Sequence, residues 1–484
     1  MNLKALAKDT ALYGLSSIVG RFLNYLLVPL YTYKIAAESG GYGIVTNLYA
    51  YSALLLVLLT FGMETTFFRF AGKEGEDERS VYGSALRLVG GVSLAFLAAA
   101  LVFLRPIAGA MGYAAHPQYI ACFACIAAMD AFQAIMFARL RQQHRPIKFV
   151  ALKLGFVLVN ITLNLLIFLV LPRFFEASPA LADFYARNDG GVGLIFYANL
   201  FCTAAVMLGF IPEMRGLAYR SEPGLARRML RYSWPLLLLG LVGILNQVAD
   251  KILFPYLMPG EEGRVQLGIY GACVKLAMIM ALLTQAFRYA YEPIVFGGTE
   301  KNKPEALAQG TRYFVIFAFL AWLAVMFYMP LIRHFINPGY WEGLKVVPIV
   351  MMAEIFMGVY FNLSFWYKLS DKTWWGAVIS AIGAAVMIGV NVLGVSRWGY
   401  MACAWGGFAG YGVSMLLSYF IGQRHMQVRY DLPTMGRFFC FGAVFYVAYV
   451  LLGRFGIVWQ MAAGTVMLLA YCALIYKDIK QTKI

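Results

Sequence analysis

The chain has 484 residues, of which 61% are hydrophobic and 13% are charged. Soluble domains carry about 25% charged residues, so this composition excludes a water-soluble globular protein. The formal net charge is +16, which in a soluble chain would indicate a nucleic-acid partner. Here the basic residues stand in small groups between long apolar runs, so we expect no nucleic acid and assign the charge to loops.

Apolar stretches of about 20 residues recur along the chain, and each can cross a hydrocarbon core about 30 Å thick as a helix. They predict an all-α polytopic membrane protein with about 14 transmembrane helices. The approximate limits of these spans are 11–33, 42–63, 82–104, 117–138, 149–171, 191–212, 232–258, 265–287, 313–332, 346–367, 374–396, 399–422, 438–453 and 455–476.

The distribution of Lys and Arg tests this count, because cytoplasmic loops of membrane proteins are enriched in both. With the N-terminus inside, 26 of the 40 basic residues fall on the cytoplasmic side, nine on the outer side and five within spans. The alternation predicts that both termini are cytoplasmic. The longest external loop covers about 172–190, so function is expected to reside in the helical bundle.

The seven cysteines lie almost entirely within spans, where we expect them to pack as small apolar residues rather than to form disulfides. Cys122 and Cys125 form a C-x-x-C pair, but the second Cys or His cluster that a metal site needs is missing from the sequence. The four histidines lie in or beside loops. We therefore expect no metal, no cofactor and no enzymatic activity.

Two segments of the chain resemble each other. Tyr42-Gly43 opens the second span and Tyr270-Gly271 opens the eighth, and Glu64 and Glu292 each follow the glycine by 21 residues. In the preceding spans, the segments NYLLVPLY and DKILFPYL carry polar residues and prolines in the same places. The matched positions are Asn24 with Asp250 and Pro29 with Pro255.

This repeat predicts two pseudo-symmetric six-helix lobes in the same orientation, because an even number of spans separates the copies. Residues 1–213 form the N-terminal lobe, 214–231 an Arg-rich amphipathic linker on the cytoplasmic side, and 232–430 the C-terminal lobe. Such a linker suits an anionic lipid surface. Residues 431–484 hold the last two spans and a cytoplasmic tail. Two parallel lobes are typical of alternating-access transporters.

Polar residues within spans are candidates for substrate binding, since an ionisable group in hydrocarbon costs several kcal/mol. Arg21 and Lys275 each lie about ten residues into a span, near mid-membrane, and no acid is obviously placed to neutralise them or Lys251. Uncompensated cations favour an anionic substrate, whereas pairing between helices is the alternative explanation. The full set of binding candidates is Arg21, Asn24, Lys153, Asn160, Asn164, Lys251, Lys275 and Arg288.

Acidic residues in or at the ends of spans are candidates for coupling transport to an ion, because a buried carboxylate can take a proton or bind Na⁺. Structural pairing is again the alternative. Asp250 is the first choice, since its repeat mate Asn24 is also polar. The candidates for coupling are Glu64, Asp130, Asp250, Glu292 and Glu354.

These segments also carry a family resemblance. The opening LYGLSSIVGRFLNYLLVPLYTYKIAAESGGYGIVTNLYAYSALLLVLLTFGMETTFFRF resembles the start of the polysaccharide transporter family. Its members are the lipid-linked oligosaccharide flippases of the multidrug/oligosaccharidyl-lipid/polysaccharide exporter superfamily. YSWPLLLLGLVGILNQVADKILF and LGIYGACVKLAM resemble the family's seventh and eighth spans. The family often has Asp-Arg where this chain has Asp250-Lys251, which keeps the charge but loses a bidentate grip on phosphate.

The resemblance implies 14 helices and a cavity lined largely by spans 1, 2, 7 and 8. It further implies that an undecaprenyl-diphosphate-linked oligosaccharide moves from the cytoplasmic to the outer leaflet of the bacterial cytoplasmic (inner) membrane, for O-antigen, lipopolysaccharide or other surface polysaccharide biosynthesis. Arg21, Lys251 and Lys275 would then receive the diphosphate, and Asp250 or a neighbouring acid would couple transport to Na⁺ or H⁺. Membrane lipid, a polysaccharide polymerase and glycosyltransferases are the expected partners; the oligomeric state stays open.

Four alternatives remain. A lipid II flippase is the nearest, followed by a cation-coupled drug or metabolite antiporter of the same superfamily. An antiporter for cationic drugs would favour an acidic, aromatic cavity, which the basic excess opposes. A membrane glycosyltransferase or polymerase normally needs a large external loop, and a proton-pumping respiratory subunit would carry an inverted repeat.

Overall fold

The computed structural model describes residues 19–73, 75–214, 224–297, 303–370 and 372–482. Regular structure in these ranges is helical throughout, with no strand. Twelve helices in them are long and apolar enough to cross a membrane. The prediction of an all-α membrane protein with many spans is thereby confirmed, while the count of 14 stays a prediction.

The contacts divide the chain into two compact units, Met1–Gly268 and Ile269–Ile484, each described by itself. The helices of the first unit are α1 (Leu27–Lys34), α2 (Gly41–Thr60), α3 (Met63–Ala71), α4 (Glu78–Val102), α5 (Leu104–Ala110), α6 (Pro117–Gln142), α7 (Pro146–Leu165), α8 (Pro179–Arg187), α9 (Val192–Gly209), α10 (Ile211–Met214), α11 (Leu225–Leu257) and the start of α12 (Glu261–Gly297).

The second unit contains the rest of α12 and eight further helices. They are α13 (Lys303–Phe327), α14 (Met329–Ile332), α15 (Val347–Leu363), α16 (Phe365–Leu369), α17 (Trp374–Trp398), α18 (Met401–His425), α19 (Leu432–Leu452) and α20 (Ile457–Thr482). The predicted domain limits at 213, 231 and 430 are not tested by this division and stay a prediction.

Two predicted spans fall outside the set of twelve. The first, 11–33, begins outside the described residues; its described part is helical over 19–25 and again in α1. The twelfth, 399–422, corresponds to α18, a helix of 25 residues that glycine and serine make less apolar. These small residues serve packing: a Cβ on Gly410 would lie 2.7 Å from the carbonyl oxygen of Gly383 in α17.

The break between α2 and α3 lies at Phe61 and Gly62, which have φ values of 35° and 72°. A left-handed backbone of this kind ends a helix and favours glycine. A Cβ on Gly62 would also lie 2.6 Å from Cβ of Leu236 in α11. Glycine therefore allows the N-terminal half of α11 to approach the end of α2 closely.

The core of the first unit lies beside this break. Fully buried aromatic and aliphatic side chains from α3, α4, α6 and α9 meet there, among them Phe67, Tyr82, Ile135 and the adjacent Phe210. A smaller core in the second unit joins Tyr291 of α12 to Phe365 of α16. Phe67 and Tyr291 lie beyond the limits of the predicted spans, so the helices and their cores extend past the apolar runs.

Part of the predicted linker, 215–223, lies outside the described residues. The segments on either side of it are anchored to the first unit. Lys148 donates to Glu213 in α10 at 2.6 Å, and Arg228 in α11 donates to Glu76 at 2.8 Å. Glu213 and Glu76 are both buried carboxylates, so these are fixed attachments rather than surface pairs.

The two C-terminal helices are joined to α13 through a buried carboxylate. Asp478 of α20 accepts from Arg312 of α13 and, at 2.9 Å, from Arg437 of α19. Its side chain is 7% exposed. Asp431 lies 3.5 Å from Arg312 and caps α19 by accepting from the backbone N–H of Thr434.

Replacing this carboxylate should destabilise the second unit. Asp478→Ala leaves Arg312 buried beside a lost partner, and breaking a buried ion pair from one side costs roughly 3 kcal/mol or more. We expect a clearly lower thermal unfolding midpoint in detergent, measured by tryptophan fluorescence. Asp183→Ala is the control, because the Asp183–Arg187 pair is 71% and 80% exposed and contributes little. Equal midpoints for Asp478→Ala and wild type would contradict the assignment.

Candidate functional site

The seventh span contains a proline that frees a backbone carbonyl. Pro255 lies inside α11 and lacks an N–H, so the carbonyl of Lys251, four residues earlier, has no helical donor. The side-chain amide of Asn47 in α2 donates to this carbonyl at 2.8 Å. The Asn47 carbonyl oxygen in turn accepts from the hydroxyl of Tyr113 at 2.8 Å.

Further contacts lie beside this chain of hydrogen bonds, at the start of α12. Burial raises the pKa of the Tyr113 phenol, so the hydroxyl keeps the proton that it donates. Arg264 at the start of α12 donates to the carbonyl of Gly112 at 2.7 Å. A Cβ on Gly43 would lie only 2.0 Å from the carbonyl oxygen of Arg264. The N-terminal ends of α2 and α12 and the C-terminal part of α11 are therefore in close contact.

The charged pair Asp250 and Lys251 lies on the same proline-containing helix. The Lys251 ammonium donates to both carboxylate oxygens of Asp250 at 2.9 Å and to the carbonyl of Gln247 at 3.1 Å. The side chains are 20% and 8% exposed. The expectation that Lys251 lacks an acidic partner is wrong, because Asp250 neutralises it. Whether Lys251 binds substrate stays a prediction.

Three predicted binding residues are accessible on the first unit. Arg21 and Asn24, in the helical stretch 19–25, have exposed side chains, as does Lys153 of α7. Gly20 lies beside Val157, where an added Cβ would be 3.7 Å from a Val157 methyl carbon. Lys153 precedes Val157 by about one helical turn. Arg21, which follows Gly20, therefore lies at a similar depth to Lys153. Since charged groups avoid lipid, this accessible surface should face water.

Lys153 is surrounded by protein although its side chain is accessible. Its ammonium lies 4.2 Å from the ring centroid of Phe137, a cation–π contact. The carboxylates of Asp130 and Glu64 interact electrostatically with the Lys153 ammonium. Asp130 also accepts a side-chain hydrogen bond from Thr203. The structure therefore brings a predicted binding residue together with two predicted coupling residues.

Glu64 has a second partner that the sequence did not indicate. Arg141 of α6 donates to its carboxylate and lies 5.1 Å from the Phe68 ring. The predicted span 117–138 ends before Arg141, which therefore counted among the cytoplasmic basic residues, but α6 extends to Gln142. Because helices often continue beyond the apolar run, loop charges near a span end can belong to the helical bundle.

The three predicted binding residues of the fifth span differ in their accessibility. Asn160 and Asn164 are buried, whereas Lys153 is accessible. The Asn164 oxygen accepts from the hydroxyl of Tyr31 in α1 at 3.0 Å, and its amide donates to the carbonyl of Asn160 at 2.7 Å. This geometry gives both asparagines a role in packing α1 against α7. A role in substrate binding stays a prediction.

In the second unit, Arg288 donates to Glu292 at 2.9 Å, as their spacing of four predicts. Lys275 and Glu354 are half-buried on α12 and α15. Lys275 precedes Arg288 by 13 residues on one helix, or about 20 Å, so these two cations do not form one cluster. Among the described residues, no group of three His, Cys, Asp or Glu side chains could hold a metal ion.

The fold and these intramembrane charges define a polytopic helical membrane protein with polar surfaces inside its spans. Residues 6–294 match the family described as "Polysaccharide biosynthesis protein", and the chain belongs to this family. The match covers more than half of the chain and confirms the resemblance seen in the opening segment. A search of curated proteins finds no match.

Several solved structures share the fold. The lipid II flippase MurJ in an inward closed conformation is 13% identical with a TM-score of 0.74, and the alignment covers 98% of this chain and 99% of that one. A multidrug resistance MATE transporter of the MOP superfamily, inward-facing, is 14% identical with a TM-score of 0.62, covering 83% and 93%. The MATE multidrug transporter DinF-BH is 16% identical with a TM-score of 0.58, covering 86% and 95%.

The contribution of Asn47 to the stability of the protein should depend on Pro255. Asn47→Ala leaves a buried carbonyl unpaired, which costs about 1–3 kcal/mol. Pro255→Ala restores a helical donor to that carbonyl, so Asn47→Ala should cost less in the Pro255→Ala background, by about 1 kcal/mol. A four-variant cycle of unfolding in detergent measures this coupling.

The control for this cycle is Thr60→Ala on the same helix, since the Thr60 hydroxyl bonds only carbonyls of its own helix among those described. Its effect should not change with Pro255. Additive losses for Asn47→Ala and Pro255→Ala would show that the amide does not serve the proline-freed carbonyl.

Proposed function

We propose that the chain is a flippase that moves an undecaprenyl-diphosphate-linked oligosaccharide from the cytoplasmic to the outer leaflet of a bacterial inner membrane by alternating access. The product would feed synthesis of O-antigen, lipopolysaccharide or another surface polysaccharide. Glycosyltransferases would supply the substrate, and a polymerase would consume the product. Both termini would be cytoplasmic, as the Lys and Arg distribution predicts.

The observation that carries this proposal is the accessible polar surface of the first unit. Arg21, Asn24 and Lys153 expose their side chains within predicted spans, and a water-filled space would stabilise exposed polar groups at that depth. A diphosphate requires cations and a glycan requires hydrogen-bonding groups in water. The family also places the chain in polysaccharide biosynthesis.

The Asp250–Lys251 pair supplies a mechanism for coupling. While Asp250 neutralises Lys251, the ammonium attracts an anion weakly. A proton or Na⁺ bound to Asp250 would remove that competition and release Lys251 for the diphosphate. Ion binding and substrate binding would then favour each other, as thermodynamic linkage requires.

A lipid II flippase is the second candidate, favoured by the fold match over nearly the whole length of MurJ. Lipid II also carries a polyprenyl diphosphate, so the same cations would serve it. The two candidates differ in the group that the diphosphate carries, and vesicles loaded with one or the other lipid separate them.

Removing single cations should reduce flipping. In vesicles that contain a fluorescent lipid-linked oligosaccharide, outer-leaflet exposure is measured for Arg21→Ala, Lys251→Ala and Lys275→Ala. Loss of one charge-assisted contact to a phosphate costs about 1.5–3 kcal/mol, so we expect rates to fall roughly tenfold or more. Lys34→Ala, an exposed cation at the end of α1, is the control. Flipping rates equal to that of wild type in all three variants would contradict the proposal.

Neutralising Asp250 should uncouple the ion from the substrate. Asp250→Asn removes the competing charge, so substrate binding should no longer depend on pH or Na⁺, whereas wild type should bind more tightly as the coupling ion is added. Binding is measured on purified protein in detergent at several pH values and Na⁺ concentrations. An ion dependence that Asp250→Asn leaves intact assigns coupling to another acid, with Asp130 the next to test.

A further inference from the structure

A pair of cations lies at one end of the second unit, on the side where the Lys and Arg distribution predicts the cytoplasm. Arg288 is near the inner end of α12, and Lys368 is in α16, directly after the break that ends α15 at Leu363. The guanidinium carbon of Arg288 lies 4.1 Å from the ring centroid of Phe361. The ammonium of Lys368 lies 4.2 Å from the same centroid and 4.9 Å from that of Phe365.

The Phe361 ring therefore contacts both cations. The separation of the Arg288 and Lys368 charges cannot exceed the sum of their distances to the ring centroid. Each cation–π contact contributes about 0.5–2 kcal/mol. The contacts fix both cations, because Phe365 is fully buried and Phe361 is half-buried. Two like charges this close repel each other in a medium of low dielectric constant.

The charges at this end are not balanced by the described residues. Glu292 accepts from Arg288 at 2.9 Å. No ion pair or hydrogen bond joins the Lys368 ammonium to any residue that the structure describes, although protein surrounds much of this side chain. The cluster of Arg288, Lys368 and Glu292 thus carries one excess positive charge. An anion in contact with both cations would relieve their repulsion and supply the acceptors that the ammonium lacks.

We propose that Arg288 and Lys368 form a phosphate-binding site at the cytoplasmic end of the second unit, which holds the diphosphate of the lipid-linked substrate before it enters the spans. This assignment rests on the proposed function. Arginine presents a planar fork of donors and lysine a compact charge, so the two suit the two phosphates of one diphosphate group. Lys275 lies about 20 Å along α12, so this site is separate from the mid-membrane cations.

The site is tested with inorganic pyrophosphate on the purified full-length protein in detergent. The background carries Arg21→Ala, Lys251→Ala and Lys275→Ala, which removes the three cations proposed to bind the diphosphate within the spans. In this background, Lys368→Met should weaken pyrophosphate binding at least tenfold in isothermal titration, and Lys368→Arg should retain it. Lys372→Ala, an exposed cation four residues further on, should bind as the background does.

The thermal unfolding midpoint of Lys368→Met shows whether the variant is folded, and Arg288→Gln gives a second, independent loss of charge. Equal pyrophosphate affinity in the background, Lys368→Met and Arg288→Gln would overturn the site. Because this readout needs no transport, it stands apart from the proposed function: a protein that binds pyrophosphate here but flips no lipid-linked oligosaccharide refutes only the latter.

Phospholipid headgroups offer the same phosphate chemistry as the substrate. Competition against pyrophosphate therefore uses farnesyl diphosphate in one arm and nanodiscs of phosphatidylglycerol or phosphatidylcholine in the other. Displacement by farnesyl diphosphate and not by phosphatidylglycerol supports the substrate diphosphate. Displacement by phosphatidylglycerol alone assigns the site to a membrane lipid and overturns its place in transport.

Discussion

The energy of a charge in hydrocarbon is the constraint on which the rest of this structure depends. Every ionisable group within a span must meet an opposite charge, an aromatic face or water. The structure uses all three: Asp250 neutralises Lys251, Phe137 lies beneath Lys153, and Arg21 is accessible. The way in which each charge is stabilised affects how it can interact with an anion. A cation paired with a carboxylate attracts an anion weakly until that carboxylate loses its charge.

Hydropathy predicted most of the helices, because a membrane leaves few alternatives to a helix for an apolar stretch of about 20 residues. The predicted span 399–422 corresponds to α18, although its glycines, which allow close packing against α17, lower its hydropathy. Hydropathy placed helix ends too early, so that Arg141 was counted outside its span. Length and composition identify a helix in lipid, but its ends and its close contacts depend on neighbouring helices.

The charged residues of the candidate site could be predicted one by one, but their partners could not. Lys153, Asp130 and Glu64 were assigned separate roles, and spacing along different helices cannot show that they act on one another. The hydrogen bond from Asn47 is an example of such a missed partner. Pro255 alone implies that the carbonyl of Lys251 lacks its helical donor. The sequence thus indicated that a donor was needed, while its identity depended on which helix lies alongside.

The packing of α11 against α2 bears on how such a chain could arise and be divided. Gly62 accepts Leu236 closely and Asn47 binds the carbonyl of Lys251, so a helix from the second copy of the predicted repeat completes the unit built from the first. An isolated half, residues 1–213, would expose the face of α2 that α11 covers. Under the duplication that the repeat predicts, a six-helix ancestor would have needed a second copy of itself to supply that helix. Half-length fragments should therefore be recovered as co-expressed pairs rather than as stable single pieces.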